Sequence, residues 1–336
     1  TEEISLLLKE LKSFLIPFIR KIQKSKIKIN PSILAGNFDV EKQKEFNRLV
    51  VQKMGFDFES GRLDISTHPF TTNFHPEDVR FTVRYDKNNL FYSLSSAIHE
   101  TGHALYEQGI LAENFGTALG ESVSLGIHES QSRIWEKIVG RGRPFWRHFY
   151  PILQKEFPEP FSNVSFEDFY RAINFIQPSL IRTEADEVTY NLHIILRFEI
   201  EKDLIEGSIL VEDLPQIWNS KVKEYLGIKI PNDTKGVLQD VHWAEGLFGY
   251  FPTYTLGNLY SAQLYEAAKR DVLNLEEELA RGEFNHFREW LRKNIHIHGK
   301  FYLATELVQK LTGEKLNNKY FINYITKKYE EIYNIK

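Results

Sequence analysis

The chain has 336 residues, of which 42% are hydrophobic and 26% charged, and its formal net charge is −4. A chain of this length buries a large core, so we predict one large domain or two lobes rather than a small module. The slight acidity excludes a general attraction to nucleic acid or to an anionic membrane, since phosphate binding needs clustered Lys and Arg. Because the sequence has no cysteine, any metal must be held by His, Asp or Glu.

No apolar run approaches the ~20 residues that span a bilayer, and no signal-peptide pattern opens the chain. We therefore expect a cytoplasmic protein with no membrane partner. The chain begins at Thr1, inside a helical pattern, and its one methionine is Met54, so we expect a processed or partial product.

Helical spacing of apolar residues runs through most of the chain. Residues 4–18 form the first amphipathic pattern, with Pro17 as the predicted site of a kink. Further helices are predicted over residues 40–54, 90–108, 118–139, 145–157, 166–174, 183–206, 211–226, 256–278, 284–297, 305–312 and 317–333. The predicted fold class is therefore mainly α.

One segment, between Asp64 and Asp86, departs from the helical pattern. Its two runs, "LDISTHPF" and "DVRFTVRYD", alternate residues and are rich in β-branched and aromatic types. A turn-forming "HPED" precedes the second run, so we predict a small antiparallel sheet directly before the next helix.

That next helix carries "HETGH", with His99 and His103 four residues apart. Such residues are separated by about 40° of rotation and ~6 Å of rise, so both imidazoles can face one ion. Glu100 lies about 100° around from His99, where its carboxylate can take a proton from a water at the metal. Asn88 or Asn89 supplies a cap, and the alternative is a structural helix with two paired histidines.

A catalytic zinc needs a third protein ligand and an open position. The downstream candidates are Glu107, Glu113, Glu121 and Glu129. Glu107 is one turn further along the same helix, where three ligands converge poorly. Glu121 and Glu129 lie eight residues apart on the next predicted helix, and spacing does not choose between them.

Five segments together resemble the M32 metallocarboxypeptidases. They are "DVRFT" for DxRxT, "HETGH" for HExxH, "HESQ" for HES/GQ, "IRTEAD" for IRxxAD and "GVLQDVHW" for GxxQDxHW. Their order matches the family, and the resemblance covers nearly the whole chain. It implies a large helical zincin-like peptidase with a long cleft, which removes single C-terminal residues with broad tolerance and disfavours proline.

The resemblance also implies the metal centre. Glu129, in HES/GQ, becomes the third ligand of a Zn²⁺ held with His99 and His103; Co²⁺ is also accepted by such a site. Glu100 is then the general base, and the partners are a peptide with a free C-terminus and a second copy in a homodimer.

The remaining motifs supply candidates for substrate binding. Arginine suits a terminal carboxylate because its planar fork binds it at two points, which favours Arg182 and then Arg80. The alternative for either is a structural ion pair, and the candidate acidic partners near them are Asp78, Asp186 and Asp240. These three are expected to orient neighbouring groups from behind the site.

Two further roles concern the segment around "GVLQDVHW". His242 could donate a hydrogen bond to the oxyanion, and the alternative is a packed histidine beside Trp243. Tyr250 or Tyr254 could reach the substrate, with aromatic packing as the alternative.

The family's additional N-terminal helices are not found in this sequence. We therefore expect a fragment or a short form with a more open cleft. This favours one rival function, an oligopeptidase or endopeptidase using the same zinc site. A rival of another class is a non-catalytic peptide-binding scaffold.

Overall fold

The structure is a computed structural model that describes residues 1–335. Within these residues the helices α1 to α14 cover, in chain order, Glu2–Gln23, Val40–Met54, Leu90–Gly109, Leu125–Arg133, Arg143–Glu156, Pro158–Phe161, Phe166–Ile173, Tyr190–Ile205, Leu214–Leu226, Pro252–Asp271, Leu275–Arg281, Asn285–Asn294, Ala304–Thr312 and Lys319–Tyr333. The strands β1 to β3 cover Gly61–Ile65, Thr71–His75 and Asp78–Val83. The mainly α prediction is confirmed. None of these helices combines the length and the apolar character needed to cross a bilayer.

The chain divides into two compact units. Unit 1 contains Thr1–Lys28, Asn174–Leu256 and residues 317–335. Unit 2 contains Ile29–Ile173 and Gly257–Leu316. The expectation of one domain or two lobes stays a prediction.

Unit 1 is built around α8, whose side chains are buried on nearly all sides. Helix α1 packs against α8 and α14, and α9 packs against α8. The apolar face predicted for residues 4–18 lies in this interface, since Leu8, Leu11 and Leu15 are fully buried. The helix continues through Pro17 to Gln23.

Unit 2 contains the three-stranded sheet, in the order β1-β3-β2. Strand β2 pairs antiparallel with β3 through a two-residue turn, whereas β1 pairs parallel with β3. The antiparallel prediction is therefore wrong for β1, and the sheet is mixed. The chain returns along β2 before it enters β3, so the first and third strands run in the same direction.

Helix α3 lies on β3 and packs against α2 and α4. Its first turn is capped by Asn89, one of the two predicted caps, whose side chain accepts the Tyr92 amide at 3.1 Å. The helix ends at Gly109, one residue beyond the predicted range. Gly102 allows α4 to approach closely, because a Cβ at this position would lie 2.6 Å from the Ser132 Cα. The α3 and α4 backbones are therefore near enough for their side chains to share one site.

Two predicted helices start seven residues later than the sequence pattern indicates. The helix expected from residue 118 begins at Leu125, capped by the Ser124 side chain, and continues after Arg133 as a π-helical segment, Ile134–Val139. The helix expected from residue 183 begins at Tyr190. In both places a short 3₁₀ turn precedes the helix and accounts for the apparent earlier start.

Candidate functional site

His99, His103 and Glu129 form a candidate metal centre within unit 2. Their ligand atoms all lie within 4.8 Å of one another, and residues 1–335 contain no second cluster of this kind. The His103 Nε2 and Glu129 Oε2 atoms are 3.5 Å apart. Two ligands of a tetrahedral zinc, each ~2.1 Å from the ion, are about 3.4 Å apart, so this pair already has the spacing of common ligands.

The protonation states in this cluster also suit a metal. Burial and the neighbouring His128 lower the pKa of His103 to about 3, so its imidazole is neutral, and its Nδ1 is buried without a protein partner. Burial alone would raise the pKa of Glu129, but the Arg133 guanidinium and His103 hold it well below its usual value. A neutral imidazole and an ionised carboxylate are the forms that bind a metal. The residues present therefore fit a divalent ion.

Glu136 fixes the orientation of His99, and the sequence analysis missed it. Its Oε2 lies 2.9 Å from the His99 Nδ1, which leaves the Nε2 of that ring for the metal. Arg133 donates to Glu129 Oε1 at 2.6 Å and lies 3.4 Å from Glu136. Glu136 follows Glu129 by seven residues, two helical turns, and this spacing was the signal available in the sequence.

Glu100 is buried beside the candidate ligands, and a residue of the sheet bonds to its carboxylate. The Thr71 hydroxyl on β2 donates to its carboxylate at 2.6 Å. Burial raises the pKa of Glu100. A carboxylate with a raised pKa beside the ligands of a metal ion can accept a proton and return it.

The other three candidates for the third ligand lie elsewhere. Glu107 accepts from Asn73 at 2.7 Å and lies 2.6 Å from the His128 Nε2. Glu113 is exposed in a short 3₁₀ turn. Glu121 precedes α4 and forms an ion pair with Lys300, so its predicted place on the same helix as Glu129 is wrong.

Unit 1 brings together in one cluster four predicted site residues: His242, predicted to bind the oxyanion, Arg182 and Tyr254, predicted to bind substrate, and Asp240, predicted to orient its neighbours. Arg182 Nε donates to Asp240 Oδ1 at 2.9 Å, and its guanidinium lies 4.9 Å from the Tyr254 ring centre. The Tyr254 hydroxyl is 2.9 Å from the His242 Nε2. Tyr190, which the sequence analysis did not identify, accepts from Arg182 Nη1 at 3.1 Å.

Arg197 on α8 is a further member that the sequence analysis missed. It is fully buried, and its Nη2 lies 2.6 Å from Asp240 Oδ2, so one carboxylate holds two guanidiniums. Burial alone would raise the pKa of Asp240, but Arg197 and Arg182 lower it. Burial and Arg182 lower the pKa of His242, which favours its neutral form.

The remaining predicted residues have other surroundings. Tyr250 lies beside the cluster, and the centres of its ring and of the His242 ring are 5.5 Å apart. Asp186 accepts the backbone amides of Val188 and Thr189 and so ends the turn before α8.

Arg80 and Asp78 are partly exposed on β3 and bond to each other at 2.7 and 2.8 Å. The ion pairs named as alternatives are thus present for both arginines. Arg182 differs from Arg80 in being buried beside other predicted site residues.

The comparisons with known proteins agree on one family. A family model, described as carboxypeptidase Taq (M32) metallopeptidase, matches residues 1–329. Carboxypeptidase 1 of Bacillus subtilis (strain 168) is 45% identical over 324 residues, which cover 96% of this chain and 65% of that protein. Thermostable carboxypeptidase 1 of Thermus thermophilus is 47% identical over 332 residues, with coverage of 98% and 65%.

A solved structure agrees with these relatives. The crystal structure of an M32 carboxypeptidase from Deinococcus radiodurans R1 superposes with a TM-score of 0.97 at 41% identity, covering 100% of this chain and 67% of that one. The chain spans 65% of the length of the two carboxypeptidases above. From the family match over residues 1–329, the chain belongs to the carboxypeptidase Taq (M32) metallopeptidase family.

Proposed function

We propose that this chain carries the catalytic centre of a metal-dependent carboxypeptidase, which hydrolyses the C-terminal peptide bond of peptides. The observation that carries the proposal is the convergence of His99, His103 and Glu129, with Glu100 buried beside them. Broad specificity that disfavours proline, a cytoplasmic location and a homodimer belong to the same proposal and rest on the resemblance in the five motifs.

We propose zinc as the ion, with cobalt as an acceptable substitute. Two imidazoles and a carboxylate suit either ion, whereas Mg²⁺ and Ca²⁺ prefer six or more oxygen ligands. One oxygen of Glu129 is committed to Arg133, so this carboxylate offers a single oxygen. When bound, the ion would polarise the scissile carbonyl and lower the pKa of water toward ~7.

The protein's own groups supply the proton transfers. Glu100 takes a proton from the attacking water and returns it to the leaving amine. Thr71 holds this carboxylate in place through its hydroxyl. Neutral His242, which lies against the Tyr254 hydroxyl, donates a hydrogen bond to the oxyanion.

Arg182 is proposed to bind the terminal carboxylate of the substrate. Its Nε and Nη1 are used by Asp240 and Tyr190, while its Nη2 makes no hydrogen bond to the described part of the chain. A charged hydrogen bond from this atom would distinguish a free C-terminus from an internal peptide bond.

A pair of matched peptides tests the reaction. One peptide has a free C-terminus, its twin is C-terminally amidated, and products are identified by mass spectrometry with and without a chelator. We expect stepwise shortening of the free peptide only, and none after chelation. Equal cleavage of the twin would instead establish an endopeptidase.

Glu100→Gln tests the general base. This substitution keeps the shape of the side chain but removes its basicity, so we expect full metal content and a loss of turnover of roughly 10²- to 10⁴-fold. Metal analysis and hydrolysis rate are measured on the same preparation. Near wild-type hydrolysis by the metal-loaded variant would contradict the assignment.

A further inference from the structure

Glu201, on α8 in unit 1, is a buried glutamate that none of the five motifs contains. Its Oε2 accepts the indole N–H of Trp243 at 2.8 Å, and its Oε1 accepts the backbone N–H of Gly249. Within residues 1–335 it forms no ion pair. A buried carboxylate with two neutral donors is costly unless both bonds are made, so this side chain depends on both contacts.

The two donors, Trp243 and Gly249, are six residues apart in one segment, residues 240–250, which we call the motif loop. The loop contains no helix or strand, and Gly246 and Gly249 have φ values of +72° and +81°. Its outer side chains Leu247 and Phe248 are 42% and 48% exposed. Glu201 therefore bonds to this irregular segment at two points from its buried side.

The motif loop contains His242. Trp243 stands edge-on to Phe251, with ring centres 5.9 Å apart, and Phe251 stacks on the His242 ring at 4.4 Å. His242 in turn contacts the Tyr254 hydroxyl. Because the rings of Trp243, Phe251 and His242 pack in sequence, a shift of Trp243 would also move His242 and its contact with Tyr254.

We propose that Glu201 is a positioning residue, which holds the motif loop so that His242 and Tyr254 are ordered for binding the C-terminal end of a peptide. The proposal rests on the proposed function. Glu201 itself contacts neither substrate nor metal; it acts through Trp243 and Gly249.

Glu201→Gln is the informative variant, because an amide keeps one acceptor oxygen and places an NH₂ group against the other donor. Glu199→Gln is the matched control. Glu199 is also a partly buried glutamate on α8, but it bonds to Lys12, Lys221 and Tyr225 rather than to the motif loop. Both variants are compared with the parent by thermal unfolding, so that equal losses of stability can be recognised.

Peptide binding is measured by calorimetry in the Glu100→Gln background, where hydrolysis does not interfere. We expect Glu201→Gln to raise the Kd of the free-carboxylate peptide at least tenfold, with metal content unchanged, and Glu199→Gln to change it less than twofold. We also expect faster chymotrypsin cleavage after Phe248 in Glu201→Gln alone.

Unchanged affinity and cleavage in Glu201→Gln, or equal changes in both variants, would overturn the proposal. Failure of the proposed function has a different signature, since the metal-loaded wild type would then leave the free peptide intact. If the parent binds no peptide, the proposal falls together with the substrate site.

Discussion

At the scale of single residues, the metal ligands are held by other charged side chains. Glu136 bonds to His99 and Arg133 bonds to Glu129. Such supporting contacts set the ring orientation and the basicity of a ligand, and their removal typically costs 10- to 100-fold in metal affinity.

Glu136→Ala should therefore lower metal affinity by roughly 10- to 100-fold while leaving the three ligands in place. Affinity is measured by competition with a chromophoric chelator. Glu113→Gln is the control, since Glu113 is an exposed glutamate away from the cluster, and it should bind metal as the wild type does. Wild-type affinity in Glu136→Ala would show that His99 needs no such support.

The residues of the site were predictable from sequence only where spacing along one helix decides the geometry. His99, Glu100 and His103 follow from helical periodicity alone. Glu136 and Arg133 were within reach, because they share a face with Glu129. Tyr190 and Arg197 were not. The contact between Arg197 and Asp240 joins residues 43 positions apart and depends on tertiary packing. The contact between Tyr190 and Arg182 depends on the turn before α8.

At the scale of elements, helix α10 depends on a small residue where it passes the metal centre. A Cβ on Gly257 would lie 2.5 Å from the Glu129 Cγ, too close for any ordinary contact. Elsewhere in a helix, an alanine would be favoured over glycine by about 1 kcal/mol. The glycine is therefore required by its neighbour.

Gly257→Ala should displace the Glu129 side chain and reduce metal affinity at least tenfold. The metal titration described for Glu136 measures this, together with thermal unfolding of the metal-free protein. Glu266→Ala, at an exposed position of the same helix, should leave affinity unchanged. An unaltered affinity in Gly257→Ala would mean that α10 can shift away from Glu129.

The three-stranded sheet shows why the antiparallel pairing predicted from the sequence was wrong for β1. Strand β2 has the sequence "TTNFH", whose polar residues give no alternating apolar signal, because it is an edge strand with partly exposed side chains. With β2 overlooked, the two recognisable runs suggested a simple hairpin. The parallel pairing of β1 with β3 follows only once the hidden strand is included.

At the scale of the whole molecule, buried carboxylates make the free energy of unfolding depend on pH. The pKa of Asp240 is lowered in the folded state because Arg197 and Arg182 outweigh the effect of burial. A group with a lowered pKa stabilises the fold fully above its unfolded value of ~3.9, and this contribution is lost as pH falls through the folded value. The protein should therefore lose stability on acidification below about pH 4.

Asp240→Asn should destabilise the fold by about 3 to 5 kcal/mol at neutral pH, because two arginines lose their shared carboxylate. Its unfolding free energy should also fall less steeply than that of the wild type between pH 5 and 3. Urea unfolding across this range measures both effects. Parallel pH curves for the two proteins would show that Asp240 is not the group responsible.

The strand order has a consequence for how unit 2 can loosen. Central strand β3 is paired on both sides, and its residues Val79, Phe81 and Val83 are fully buried, with α3 beginning seven residues after its end. Edge strand β2 can open without releasing α3, but its opening would free Glu100 from Thr71. Hydrogen exchange should then find β2 amides opening at lower free energy than β3 amides. Such a partial opening would leave the Glu100 carboxylate without its hydrogen bond from Thr71 while His99, His103 and Glu129 stay together.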